Sequence, residues 1–235
     1  DGRLEAAEDA APTGGDNHDS EVSSSAKIRP HGISIPGISS PGVGSSPGRI
    51  EAVPMGFLVD DESEALMWRG LMLQRAVQHF LEDVAWGDLD YLLVDMPPGT
   101  GDIQLPLRQR VPITGAVIVT TPQDIALIDA RKGINMFEKV GVPILGLVEN
   151  MAVHVCSNCG HAEHIFGEGG GRRLAQEQGM HYLGALPLDL KIRQQADSGQ
   201  PTVVADPQSE AAGIYRQVAR DVAARIALQS KDFSA

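Results

Sequence analysis

Cys156 and Cys159 are the only cysteines of this 235-residue chain, and they stand in C-x-x-C spacing within "HVCSNCGHAEHIFG". His154, His161 and His164 lie in the same stretch. Two thiolates are half of the four ligands that zinc or an iron–sulfur cluster takes. Three completions follow. A second chain contributes its own pair at a dimer axis, or His161 and His164 close a zinc site within one chain, or the pair is a redox dithiol. The redox reading is the weakest, because such a motif normally opens a helix whose dipole lowers a thiol pKa, and this one sits in a polar loop. Two unligated surface thiols is the bland alternative, against which the knuckle-like "SNCGH" argues. The dimer-shared site is the first choice.

A second constellation is "YLLVDMPPGTGDIQ", residues 91–104. An Asp closing an apolar strand in a phosphate-handling protein holds magnesium through a coordinated water, which is the role open to Asp95. The turn that follows presents backbone N–H groups, notably that of Gly99, toward a terminal phosphate. The same residues equally suit a strand end in which Asp95 caps the next helix and Pro-Pro-Gly only turns the chain. The upstream half of a nucleotide site is not found. No G-x-x-x-x-G-K-[ST] occurs anywhere, and "FGEGGGRR" (166–173) lacks the Lys and hydroxyl residue that would meet phosphate and metal. Its glycines suit a tight turn and close helix packing.

The elements that must position these residues begin after a long polar stretch. Residues 1–50 hold 22 Gly, Ser or Pro and no Phe, Trp or Tyr, too little apolar surface to offset chain entropy. Residues 1–48 are therefore expected to be a disordered tail, or sequence that does not belong to the folded domain, with "HGISIPGI" as a short edge strand in the alternative reading. The first residue is Asp1 rather than Met, which suggests a fragment or processed product, and nothing near it has the order of a secretory signal. Residues 49–230 are expected to form one domain. "RIEAVPMGFLV" reads as a strand, and a helical face runs from about Glu62 to Ala85. "DYLLVDM", "GAVIVTT" and "PILGLVEN" read as strands covered on both faces. "DIALIDARKGINMFEKV" is a helix between the second and third, "HYLGALP" a further strand, and "PQSEAAGIYRQVARDVAARIALQ" a closing helix. This alternation predicts an α/β fold, a mostly parallel sheet with helices on both faces. Ligands of such sheets sit beyond the carboxyl ends of the strands, where Asp95, Thr120–Thr121 and Asn150 are expected.

Composition narrows the function classes. The 42% hydrophobic share suffices for a core, and no run approaches the 18 consecutive apolar residues of a membrane span. A net charge of −12 disfavours sequence-independent nucleic-acid binding and adhesion to anionic lipid. Two cysteines three positions apart do not make a secreted disulfide scaffold, so a reducing, cytoplasmic setting is expected.

Taken together, "YLLVDMPPGTGDIQL", "VTTPQDIALIDARKGINMFEKVGVPILGLVENM", "CSNCGH", "IFGEGGG" and "GALPLDLKIRQQADSGQPTV" closely resemble the Mrp-type (ApbC-like) iron–sulfur cluster carrier ATPases. These belong to the deviant-Walker P-loop class that also contains MinD and ParA proteins. The resemblance covers about Arg49 to Ala227 and includes "MGFLVDDESEALMWRGLM". It implies a P-loop NTPase-like fold and a homodimer that uses ATP and Mg2+. It also implies a [4Fe–4S] cluster, bridged by Cys156 and Cys159 of two chains and passed to apo iron–sulfur proteins. Asp95 matches the magnesium-side acid and Gly99 the switch glycine. Asn150 matches the position that contacts adenine, with Pro187 of "LPLD" near the base. The sequence departs from the family where the first strand, the G-K-G-G-V-G-K-[ST] loop and the acidic switch I segment would stand, so ATP hydrolysis is expected to be impaired. The alternatives are a non-hydrolytic metal- or cluster-binding scaffold and a ParA/MinD-like positioning ATPase, the latter disfavoured by the C-x-x-C.

Overall fold

The computed structural model describes residues 31–34, 49–54, 71–96 and 104–229. Its centre is a three-stranded parallel sheet of order β3-β4-β7: β3 (Ala116–Thr120), β4 (Ile144–Glu149) and β7 (Tyr182–Ala185). Helix α3 (Asp124–Lys139) connects β3 to β4. Between β4 and β7 lie a small antiparallel ribbon, β5 (His154–Val155) with β6 (Ala162–Glu163), and then α4 (Gly170–Glu177). After β7 come α5 (Leu190–Asp197), α6 (Thr202–Ala205) and α7 (Glu210–Gln229). The α/β expectation is met, with helices on both faces of a parallel sheet.

The two faces of β4 explain its sequence. Leu147 packs with Ile118, Ile134, Leu174 and Ala175 beneath α3 and α4, while Val148 packs with Leu183 and Leu186 against Ile214, Val218 and Val222 of α7. From Leu145 to Glu149 every residue of β4 is buried, as a central strand covered on both sides must be. β3 differs, because only alternate residues are covered. Val119 is 61% exposed on the face where α7 packs over β4 and β7. The "GAVIVTT" run is thus half covered rather than buried on both faces.

Upstream, β1 (His31–Ser34) pairs antiparallel with β2 (Arg49–Ala52). Four residues assigned to the tail are therefore strand, the first half of "HGISIPGI", whose remaining residues lie outside the described ones. Helix α1 (Leu71–Glu82) lies within the expected 62–85 helix, whose first turns fall outside the described residues. It is tied to α2 (Gln104–Arg110) by an Arg110–Glu82 ion pair at 2.8 Å. The expected strand "DYLLVDM" is not one: residues 91–96 carry no strand pairing, and Leu93 is 91% exposed. An apolar run becomes a buried strand only where a neighbouring strand takes up its N–H and C=O groups. Among the described residues none does so here. No described helix is long and apolar enough to cross a membrane.

Candidate functional site

The carboxyl ends of β3, β4 and β7 are laced together. Asn150 N–H donates to Thr120 O at 2.7 Å, and Leu186 N–H to Glu149 O at 2.8 Å. Thr120, Asn150 and the Pro187 turn thus sit side by side at one end of the sheet, where such folds bind ligands. Asn150 Oδ1 accepts from Met151 N–H, which fixes the amide. Asp189, next to Pro187, caps α5 by accepting from Lys191 N–H at 2.8 Å. Asp95 is not drawn into this group. It is exposed and makes no hydrogen bond or ion pair among the described residues. Gly99 lies outside the described residues.

Beyond the β4 end the chain makes a long excursion that carries the cysteines. Its outgoing limb is zipped to the turn after β7: Ala152 N–H donates to Leu186 O at 2.9 Å, Leu188 N–H to Val153 O at 2.8 Å, and His154 Nδ1 lies 3.1 Å from Leu188 O. On the return, His164 Nδ1 lies 2.8 Å from Ala152 O. The β5–β6 ribbon then holds the thiols at its tip. Cys156 N–H donates to His161 O at 2.9 Å, and Gly160 N–H to Cys156 O at 2.8 Å. Gly160 takes a left-handed φ of 71°, which glycine adopts without a Cβ penalty. The Cys156 thiol is held below the usual thiol range, foremost by the backbone N–H of Cys159 donating to it, then by that of Asn158 and by the Cys159 side chain. Such donors favour thiolate, the form that binds metal.

This geometry separates the completions. Cys159 is exposed and Cys156 half-buried, both as free thiols. Among the described residues no group of three or more His, Cys, Asp or Glu is placed to hold a metal. The His161/His164 zinc site is therefore not formed, and His154 and His164 serve instead as clamps on backbone carbonyls. The pair lies in the turn that joins β5 to β6, not at a helix N-terminus.

The glycine-rich turn has its own occupant. Glu149, only 2% exposed, accepts the Gly171 N–H at the start of α4. A Cβ on Gly170 would come within 2.7 Å of Pro122 O, and one on Gly171 within 2.8 Å of Glu149 Oε2. Close helix packing is thus the reason for "GEGGG". With a carboxylate already at this helix start, a phosphate would meet repulsion there. Arg172 lies over the Tyr182 ring at 4.5 Å, and burial, reinforced by the Glu149 charge, raises the Tyr182 hydroxyl above its ordinary value.

A cavity of about 310 Å³ opens beside the Pro187 turn, lined among others by Val153, Val155, Leu188, Gln195 and Ile214. Gln195 Oε1 is buried without a hydrogen-bond partner among the described residues. Sequence reasoning missed both Glu149 and Gln195. Glu149 left a faint signal, an acid closing the apolar run of β4, whereas Gln195 left none.

Comparison with known proteins now bears on these features. The family model described as ParA, NUBPL iron-transfer P-loop NTPase, matches residues 40–223. The iron-sulfur cluster carrier protein of Pseudomonas fragi is 59% identical over 170 residues, 72% of this chain and 59% of that protein. The carrier protein of Escherichia coli K12 is 57% identical over 177 residues, 75% of this chain and 48% of its own. The mouse iron-sulfur cluster transfer protein NUBPL is 54% identical over 177 residues, covering 75% and 55%. The chain thus spans about half the length of these curated relatives. Among solved structures, a nucleotide-binding protein from Archaeoglobus fulgidus in complex with ADP aligns with a TM-score of 0.51 and 39% identity, over 60% of this chain and 57% of that one.

Proposed function

Because this chain belongs to the ParA/NUBPL family of iron-transfer P-loop NTPases, we propose that it carries an iron–sulfur cluster, in a reducing compartment such as the cytoplasm. Two chains pool Cys156 and Cys159 to hold a [4Fe–4S] cluster and deliver it to apo iron–sulfur proteins. Delivery exchanges carrier thiolates for client thiolates on the same irons, so no electron is gained or lost. One observation carries the reading. An exposed ribbon presents two thiols, with no third or fourth ligand among the described residues, and with two cysteines in the sequence a four-cysteine cluster takes its other pair from a second copy.

The nucleotide half of the reading fits in part. The largely apolar cavity beside Pro187 is offered as the base seat by resemblance, and Asn150 stands at the adjoining strand end. Asp95, exposed and without a hydrogen-bond or ion-pair partner among the described residues, is assigned to Mg2+ through water, and Gly99 N–H to the γ-phosphate, both by resemblance. The described residues offer no cradle for the phosphates. The one glycine-rich helix start among them is filled by the Glu149 carboxylate. These 235 residues are accordingly a poor ATPase, and that absence favours a second reading, a cluster-binding scaffold without hydrolysis.

Anaerobic reconstitution with iron and sulfide tests the proposal. The chain is expected to develop brown charge-transfer absorbance, and Cys156→Ala/Cys159→Ala is expected to develop none. Equal iron in both proteins contradicts the thiol site.

A further inference from the structure

The turn at the tip of the ribbon sets the two sulfurs as a pair. Gly160 N–H donates to Cys156 O at 2.8 Å, and a bond over that span closes a single helical-type turn. Residues three apart on such a turn stand about 5–6 Å apart at Cβ. A disulfide needs its Cβ atoms nearer, at about 3.5–4.5 Å, and both cysteines are free thiols. The spacing leaves room for one ion between the sulfurs. Cys156 N–H donates to His161 O at 2.9 Å, which ties the turn to the opposite limb of the ribbon. Cys159 is exposed and Cys156 half-buried, so an ion can reach them from solvent.

Ligand count selects the ion. Zinc and iron–sulfur clusters take four ligands, and among the described residues no group of three His, Cys, Asp or Glu is placed to hold a metal. Two neighbouring rings are engaged elsewhere, His154 Nδ1 on Leu188 O and His164 Nδ1 on Ala152 O. Soft thiolates favour Cu(I), a filled-shell monovalent ion whose coordination a pair of opposed thiolates completes. We propose that a single chain binds one Cu(I) ion between the sulfurs of Cys156 and Cys159, and that copper held there keeps the iron–sulfur cluster out. Binding joins the ion to two thiolates and releases the protons of the two thiols, with no change of oxidation state. The copper-loaded chain stays a monomer, because both sulfurs are occupied and neither is left to bridge to a second copy. The copper site rests on the turn alone, whereas the competition rests on the cluster reading given above.

Native mass spectrometry of the whole reduced chain, loaded anaerobically with Cu(I) from its acetonitrile complex and with bicinchoninate as competitor, tests the site. The expected species is a monomer with a single copper. Cys156→Ala and Cys159→Ala are each expected to lose the copper, and His161→Ala to keep it. Copper stripped from the unaltered chain, or retained by either cysteine variant, overturns the thiol pair as the ligand set. Loss in His161→Ala overturns the two-ligand site, and a copper-bridged dimer overturns the single-chain one. The competition is read by supplying iron and sulfide to the chain with and without copper, and brown absorbance is expected only without it. A cluster that forms while copper stays bound overturns the competition. If no cluster forms on the copper-free chain either, the competition falls with the cluster reading, and one copper per monomer still upholds the site.

Discussion

Gly171→Ala probes the joint that closes the cysteine excursion. The new methyl would lie 2.8 Å from Glu149 Oε2, 3.0 Å from Glu149 Cβ and 3.0 Å from Leu147 Cδ2. Leu147 is fully buried and Glu149 nearly so, so neither has free space to retreat into. Overpacking of this kind costs about 1–3 kcal/mol. Pushing the carboxylate off the Gly171 N–H forfeits a charge-assisted bond worth about 1.5–3 kcal/mol. Alanine returns about 1 kcal/mol through its better helix propensity. The net loss is roughly 1.5–5 kcal/mol, and at about 2–4 °C per kcal/mol it lowers Tm by roughly 3–20 °C. Gly133→Ala, in α3 with no heavy atom within 4 Å of its added Cβ, is the control and should gain about 0.4–1 kcal/mol. Urea and thermal unfolding followed by circular dichroism measure both. If the two substitutions behave alike, Glu149 does not hold the root of the excursion tightly, and the account of the glycine-rich turn fails.

Other consequences are as direct. Ile134→Ala removes a fully buried side chain from beneath α3 and α4 and should cost about 2–5 kcal/mol in urea unfolding. The Cys156 thiol, held below its ordinary range by the N–H groups of Cys159 and Asn158, should alkylate with a pH midpoint lower than that of a free cysteine. Its folded pKa is depressed, so the associated stabilisation is present above the unfolded pKa and is lost as pH falls through the folded one. Asn158→Pro deletes one donor and should move the midpoint upward; an unmoved midpoint argues that this N–H does not act on the sulfur. Calorimetric titration with ATP should show weak or no binding, and micromolar affinity would mean that a phosphate cradle exists in a segment where none was recognised.

How much of this was legible in the residues depends on which contacts are local. The C-x-x-C, the strand β4 with Asn150 at its end, and the α3 helix declare themselves through spacing and periodicity, and the structure has them in those places. "DYLLVDM" fails for an instructive reason. Its apolar run describes what the segment prefers, while a strand also needs a neighbour, and none of the described residues supplies one. Val119 tells the same story, because its side chain suits burial but α7 packs over the neighbouring strands β4 and β7. His161 and His164 look like ligands by proximity in sequence. Only three-dimensional placement reveals that His164 clamps Ala152 O. Gln195 is undetectable in advance, since "RQQAD" resembles any solvated helix until the fold places it on one cavity with Val155 and Ile214.

The shared cluster is the central claim, and native mass spectrometry of the anaerobically reconstituted chain tests it most directly. The expected species is two chains with four irons and four sulfides, which falls to monomer when a chelator strips the iron. A single chain holding zinc or a complete cluster by itself, or a dimer that persists unchanged without iron and in Cys156→Ala/Cys159→Ala, would contradict the account.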